Sequence, residues 1–481
     1  MSEAKNLDEC CATEPLTDQY DVAVIGAGSA GFSAAITAVE AGARVALIGY
    51  GTIGGTCVNV GCVPSKAMIR AAEAIHHARQ ANRFDGIEGA AELYDWKALV
   101  AQKQALVDEL REAKYSDMLH VYDKISYIEG QARLEAGGVN VDGRHIAADK
   151  IIVATGASPS TPDIKGFNDV SYLTSTTALE LDAPPASLLV IGGGYIGCEL
   201  AQIFARVGTD VTLVTRSHLL SGGEPEISTA LTQYFNDEGI TVLDNLSYDH
   251  IEATTGGVAL SIVKNEQVTV VEAEQVLVAT GRQPNIDHLD LEPMGVQLNA
   301  QGGIKVDEQM RTTVPGVYAA GDVTGQDQFV YMAAYGAKLA AQNALSDDVN
   351  RYDNRAMPAV VFTDPQVATV GLTEAQAQAQ GFAVQTSVLD LEHVPRALAA
   401  RDTRGLIKLV ADADSGQLLG AHIIAPEGAD SIQSAAIALS QRMTYRELAD
   451  MIFPYLTTVE GLKLAAQTFD KDVSKLSCCA G

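Results

Sequence analysis

The chain has 481 residues, 47% hydrophobic and 20% charged, enough for two to four buried cores and typical of a globular enzyme. Its 61 acidic against 33 basic residues leave a net charge of −28, which works against nucleic acid and anionic membranes as partners. No apolar run is long enough to span a bilayer and the first 19 residues carry no apolar signal core, so a cytoplasmic location and no membrane insertion are expected.

The acidity fits either an ordinary acidic cytoplasmic protein or one adapted to high salt. Seven cysteines (Cys10, Cys11, Cys57, Cys62, Cys198, Cys478 and Cys479) are an odd number in a long chain, which argues against a secreted disulfide scaffold. None of the pairs has zinc-site spacing or a nearby His, so reduced thiols with a redox or metal role are expected. Residues 1–19 read as a polar tail whose Cys10-Cys11 is either incidental or a small metal-capture device.

An apolar strand beginning at Asp21 runs into Gly26-x-Gly28-x-x-Gly31, with Ala30 just before the last glycine. An Ala-rich helix from Phe32 to Ala41 and a strand from Arg44 to Ile48 complete a βαβ unit. The glycines allow a tight turn, close approach of backbone to a pyrophosphate and packing of helix on strand. The acid expected to hold the ribose at the end of the second strand is missing; Gly49-Tyr50 stands there.

Residues 54 to 66 read Gly-Gly-Thr-Cys-Val-Asn-Val-Gly-Cys-Val-Pro-Ser-Lys. Cys57 and Cys62, with four residues between them in a glycine-rich setting just after a dinucleotide unit, predict a redox-active dithiol. Helices are expected over 66–84, where His76-His77 read as surface residues, and over 95–122, with an apolar stripe of Leu99, Leu106, Leu110 and Leu119. Trp96 reads as structural.

A strand ends at Thr155-Gly156, and the same ending recurs at Thr280-Gly281. Between them lies a second βαβ unit, with a strand Leu188–Ile191, then Gly192-x-Gly194-x-x-Gly197, a helix to about Val207 and a strand Asp210–Thr215. Cys198 on that helix reads as a packing residue. Arg216 follows the partner strand where an acid would select NAD, and an arginine suits the 2′-phosphate of NADPH unless it is only a surface residue. Asp322, ending another strand, is placed for a cofactor hydroxyl. From about Arg355, strands mix with helices in an α+β pattern. The fold class expected is α/β, two Rossmann-like dinucleotide-binding domains with a C-terminal α+β domain.

In this order, over about residues 20 to 481, these signatures resemble the flavoprotein disulfide reductases. The resemblance implies an FAD-binding domain over 20–160 and 285–354, an NADPH-binding domain over 161–284, and an interface domain over 355–481 that makes a homodimer. It implies that Cys62 lies against the flavin and Cys57 carries out exchange, that Lys66 and Glu199 pair near the flavin ring, and that Tyr195 gates the nicotinamide. Gly26, Gly28, Ala30, Gly31, Gly55, Thr56, Lys66, Thr155, Gly156 and Asp322 are expected at FAD. Gly192, Gly194, Tyr195, Gly197, Arg216 and Gly281 are expected at NADPH.

The chain departs from the disulfide-reducing members near its end. Aligned on Glu460, the place of their acid/base His holds Tyr455, and no His follows His422. Thiolates released from a disulfide need protons near neutral pH; a phenol with a pKa of about 10 supplies them poorly. The adjacent Cys478-Cys479 would be strained as a disulfide, because neighbouring Cα atoms are about 3.8 Å apart. Two open thiolates bind soft metal ions.

A soft, reducible, thiol-loving ion is Hg(II), and the wording around the dithiol, the tyrosine and the Cys-Cys-Ala-Gly ending resemble the branch of the family that reduces it. That likeness makes Cys57, Cys62, Cys478 and Cys479 the ligands of Hg(II) in transit. It brings Cys478, Cys479 and Tyr455 of one subunit to the dithiol of the other, with Tyr115 as a second tyrosine near the metal. A relay reductase for a large disulfide and a non-catalytic metal-sequestering protein are the rival readings.

Overall fold

The computed structural model describes residues 19–347 and 349–476. By internal contact the chain divides into two units. Among the described residues, the first comprises 19–59, 108–158, 283–347 and 349–352; the second comprises 60–107, 159–282 and 353–476.

In the first unit the central strand is β1 (Gln19–Ile25), followed by helix α1 (Ser29–Glu40) and strand β2 (Val45–Gly49). After the short helix α2 (Gly55–Asn59), the unit's next strands are β3 (Ile125–Glu129), β4 (Ala132–Glu135), β5 (Gly138–Val141) and β6 (Arg144–Val153). The sheet order is β3-β2-β1-β6-β5-β4, and the strand Val317–Ala319 adds to β6 in parallel. β3, β2, β1 and β6 run parallel, and their near-continuous apolar runs match a sheet covered on both faces. Helix α1 and the helix Val330–Leu345 pack together on one face, Ala34, Ala35 and Ala38 allowing close approach to Ala337, Ala340 and Ala341. The sequence places α1 from Phe32; it begins at Ser29, because the glycine turn itself supplies the first helical turn.

The second unit begins with helix α3 (Cys62–Arg79). Its buried Ser65, Met68, Ile69, Ala72, Glu73 and Ile75 repeat at three- and four-residue spacing, one face of a helix. Met68 and Ile69 join Leu188, Val190, Cys198 and Leu200 in one apolar cluster. Residues 60–107, expected with the first dinucleotide domain, therefore pack with the second unit.

A four-stranded parallel sheet carries the second βαβ, in the order Thr241–Leu243, Asp210–Val214, Ser187–Ile191, Gln275–Val278. The α+β part is a five-stranded antiparallel sheet, including the strands Gln366–Gly371 and Val384–Asp390 that alternation did not single out. Helices Gly428–Ser440 and Glu460–Gln467 cover it through Ile432, Ala435, Leu462 and Ala465.

Three local expectations need correction or refinement. His76 is not a surface residue; its side chain is 11% exposed and lies 3.8 Å from Glu238. The long helix expected over 95–122 is helix α4 (Trp96–Arg111), then a π-helical turn Glu112–Ser116 and a short helix Asp117–Val121. In α4, Leu106 is exposed while Val107 and the stem of Lys103 are buried, Lys103 Nζ donating to the Leu179 carbonyl. Trp96 is structural as expected, its indole N–H donating to the Leu181 carbonyl at 2.6 Å.

Candidate active site

The first dinucleotide turn is built by glycine. Gly26 has φ +117°, and a Cβ there would strike the Ala154 carbonyl. Gly28 caps α1 without any side-chain acceptor, so the amides of the first turn, where Ala30 and Gly31 are buried, are left to another acceptor. Gly28 also meets the next loop: it bridges Gly54, and a Cβ on Gly55 would stand 2.7 Å from the Gly28 Cα. Two backbones in contact with no side chain between them form a cradle that fits the pyrophosphate of FAD. On the neighbouring strand end, Thr155 Oγ1 donates to the Asn285 carbonyl and the Asn285 amide N–H donates back to Gly156, fixing that turn. Asp322 begins the turn Asp322–Thr324 just beyond the strand Val317–Ala319.

The second turn repeats the design. Gly192 has φ +118°, and Gly194 caps the helix Tyr195–Arg206 with no side-chain acceptor and open space around its Cβ direction. Gly197 rests on the Gly192 carbonyl, and Gly281 closes the matching strand end. This cradle fits the pyrophosphate of NADPH. Arg216 is exposed just after the buried Thr215, and its charge reaches Tyr248, whose hydroxyl burial pushes up to about 12 against the pull of Arg216. Tyr195, at the first helical position, is 37% exposed, and burial of its ring raises the hydroxyl above its ordinary value.

The redox segment is held separately at its two cysteines. Cys57 is half-buried in α2, in the first unit; Thr56 beside it is exposed. Asn59 closes that turn by donating to the Ile53 and Gly55 carbonyls at 2.9 Å, and Arg111 donates to its amide oxygen. Tyr115 comes from the π-helical turn, shares a 2.9 Å hydrogen bond with Ser29 Oγ and lies edge-on to Phe32 at 5.0 Å. Its ring also faces Gly54, so it borders the glycine turn just before the dithiol. Cys62 is the exposed first residue of α3, in the second unit, at the electropositive end of an 18-residue helix.

One turn along α3, Lys66 Nζ donates to Glu199 Oε2 at 2.7 Å, as expected. The other Glu199 oxygen accepts the Phe362 backbone N–H at 2.9 Å, and the Phe362 ring lies 4.8 Å from the Lys66 ammonium. Phe362 is a site residue that the sequence did not announce; no motif surrounds it.

Tyr455 is 55% exposed, in a turn where Leu456 has φ +62°. The Leu456 N–H donates to Glu460 Oε2 at 3.1 Å, and Glu460 is buried. Glu460 thus fixes the turn that presents Tyr455. Cys10, Cys11, Cys478 and Cys479 lie outside the described residues.

The arrangement matches a model of the pyridine nucleotide-disulphide oxidoreductases over residues 20–341, and the dimerisation domain of the same family over 357–466. The chain belongs to the pyridine nucleotide-disulphide oxidoreductase family. Within the family its sequence is similar to mercuric reductases. That of Staphylococcus aureus is 47% identical, with 96% of this chain and 84% of that protein covered. That of Acidithiobacillus ferrooxidans is 50% identical over 96% and 85%, and that of Streptomyces lividans 45% identical over 96% and 98%. Among solved structures of the family, the HOCl-induced flavoprotein disulfide reductase RclA from Escherichia coli matches with a TM-score of 0.81 and 29% identity over 93% of this chain and 99% of that one. The family's FAD and NADPH are the groups that the two glycine cradles and Arg216 fit.

Proposed function

We propose that the protein reduces thiol-bound Hg(II) to Hg(0) with NADPH, through FAD and the Cys57/Cys62 dithiol, and so detoxifies mercury. The observation that carries this reading is Tyr455. At the place where disulfide-reducing relatives hold a proton-donating His, the chain presents a phenol on a turn pinned by Glu460. A phenol is a poor proton donor near neutral pH but can approach a soft cation. The similarity to mercuric reductases over nearly the whole chain supports the same reading.

The chain's own residues divide the work. Arg216 receives the 2′-phosphate of NADPH, and Tyr195 covers the nicotinamide pocket. Held at the cradle of Gly26, Gly28, Gly54 and Gly55, FAD would supply two-electron transfer between the nicotinamide, the dithiol and Hg(II). Lys66, held by Glu199, sets a positive charge beside the site. Cys478 and Cys479, with Tyr455 and Tyr115 positioning the ion, capture Hg(II) from its bis-thiolate carrier and hand it to Cys57 and Cys62. Each incoming sulfur bonds before an old one leaves, which favours four thiols over two. The balance closes: the bis-thiolate of Hg(II), NADPH and one proton give Hg(0), NADP⁺ and two free thiols.

The same reading makes residues 20–160 and 285–354 the FAD-binding domain, 161–284 the NADPH-binding domain and 355–481 the interface of a homodimer that shares its active sites across subunits, working in the thiol-rich cytoplasm. The test is NADPH oxidation by the purified flavoprotein with Hg(II) in excess thiol, beside oxidised glutathione, lipoamide and thioredoxin. Oxidation with Hg(II) alone, with volatile mercury released, is the expected result. Turnover of a disulfide but not of Hg(II) would move the assignment to a relay reductase.

A further inference from the structure

A βαβ dinucleotide unit ordinarily ends its second strand with an acid that binds the adenosine ribose. Here β2 ends in Gly49. The structure gives a steric reason. β2 and β3 run parallel, with Leu47 opposite Tyr127 and Gly49 opposite Glu129. Tyr127 and Glu129 are two apart on one strand and share a face, the face toward which a side chain at Gly49 would point. A Cβ built on Gly49 would stand 2.8 Å from Tyr127 Cε2 and 2.9 Å from Cζ, and nearer still to the hydroxyl oxygen. The obstacle is an aromatic ring rather than the swinging tip of a long chain. The Tyr127 ring is anchored against the apolar cluster that includes Val45, Leu47 and Ile125.

The phenol therefore occupies the volume that the first carbons of an acid would take. Its hydroxyl has no hydrogen-bond partner among the described residues. Burial, and then the negative charge of Glu129, raise that hydroxyl above its ordinary value, so it keeps its proton and can donate as well as accept.

We propose that Tyr127 takes the place of the missing acid in the first dinucleotide unit, its hydroxyl hydrogen-bonding the adenosine ribose of FAD. The inference rests on the FAD reading above and adds a specific contact to it. It replaces a charged acceptor by a neutral group, and it makes Gly49 a consequence of Tyr127: an acid cannot return to position 49 while the ring is there.

The test is flavin titration of the full chain freed of its flavin, followed by quenching of flavin fluorescence, for the wild type, Tyr127→Phe, Glu129→Gln, Gly49→Glu and the double variant Gly49→Glu with Tyr127→Ala. Tyr127→Phe keeps the ring and its packing, so its thermal midpoint without flavin should match the wild type. Its affinity for FAD should fall about three- to tenfold, the worth of one hydrogen bond. Its affinity for FMN, which lacks the adenosine, should not change. Gly49→Glu alone should weaken FAD binding, and removing the ring in the double variant should restore it.

Equal FAD affinity in the wild type and Tyr127→Phe would overturn the proposal. So would an equal loss with FMN, or a loss confined to Glu129→Gln, which would assign the ribose to the acid on the neighbouring strand. A wild-type chain that binds no FAD would instead overturn the cofactor reading on which the proposal stands.

Discussion

Glu199 binds Lys66 with one carboxylate oxygen at 2.7 Å while its other oxygen accepts the Phe362 backbone N–H at 2.9 Å. A single buried carboxylate thus fixes the ammonium on α3 and the end of the strand Pro358–Val361 together. Glu199→Ala removes both acceptors and leaves the Phe362 amide to be satisfied otherwise, a cost of about 1–3 kcal/mol. Glu199→Gln keeps an acceptor for the amide and should lose less. Urea unfolding of the two variants measures the difference. A shifted flavin absorption band in Glu199→Gln would report the Lys66 charge separately from stability; no shift would remove that charge from the flavin's surroundings.

Tyr455→Phe deletes the phenol hydroxyl and leaves the turn pinned by Glu460. Hg(II) turnover should fall about 10- to 100-fold, as when an outer partner of a bound metal is removed. Reduction of the flavin by NADPH, followed by its bleaching in stopped flow, should be unchanged. Slowed bleaching would place Tyr455 upstream of the metal.

Arg216→Met should raise the KM for NADPH about 10- to 100-fold, the worth of a charge-assisted hydrogen bond to phosphate. The KM for NADH should stay put. Equal effects on both cofactors would make Arg216 a structural residue.

Acid stability should carry the signature of His76. Burial, and then the charge of Arg206, lower this imidazole to about 4 from an ordinary 6.5. The folded protein therefore holds the proton less tightly than the unfolded chain. Stability is full above pH 6.5 and is lost progressively as pH falls from 6.5 toward 4. His422, kept neutral mainly by burial, adds a loss of the same sign. Asp364 acts lower. Burial opposes its ionisation, but the hydrogen bond from His77 and the charges of Arg206 and Arg404 hold it well below the usual carboxylate range, so its contribution disappears only as pH falls below about 4. His76→Gln should flatten the slope between pH 6.5 and 4 in denaturant titrations; an unchanged slope would refute the assignment.

Both glycine turns and the α+β end were legible in the sequence, because each rests on local spacing or on a motif whose wording is tied to its geometry; the Lys66–Glu199 pair, 133 residues apart, followed only from the family resemblance. What was not legible came from distant parts of the chain. Phe362 reaches Glu199 across 163 residues and carries no local pattern. His76 looked solvated because helical periodicity says which face is buried but not which polar groups wait there; the partners are Arg206 and Glu238. The missing acid at Gly49 was legible as an absence, but its cause lay in Tyr127, a residue on a strand that the sequence did not align with β2. The π-helical turn that sets Tyr115 against Ser29 is invisible to a 3.6-residue count.

The parallel pairing of Val317–Ala319 with Ile151–Val153 bears on how the protein is made. At ribosomal speeds, roughly 160 residues take on the order of 10–30 s to emerge. For that interval β6 offers an apolar edge with unpaired backbone amides and carbonyls, open to any passing strand. A message truncated before residue 317 would therefore yield a sticky fragment rather than a smaller enzyme, and the nascent chain should need a chaperone's cover until its last parallel strand is delivered.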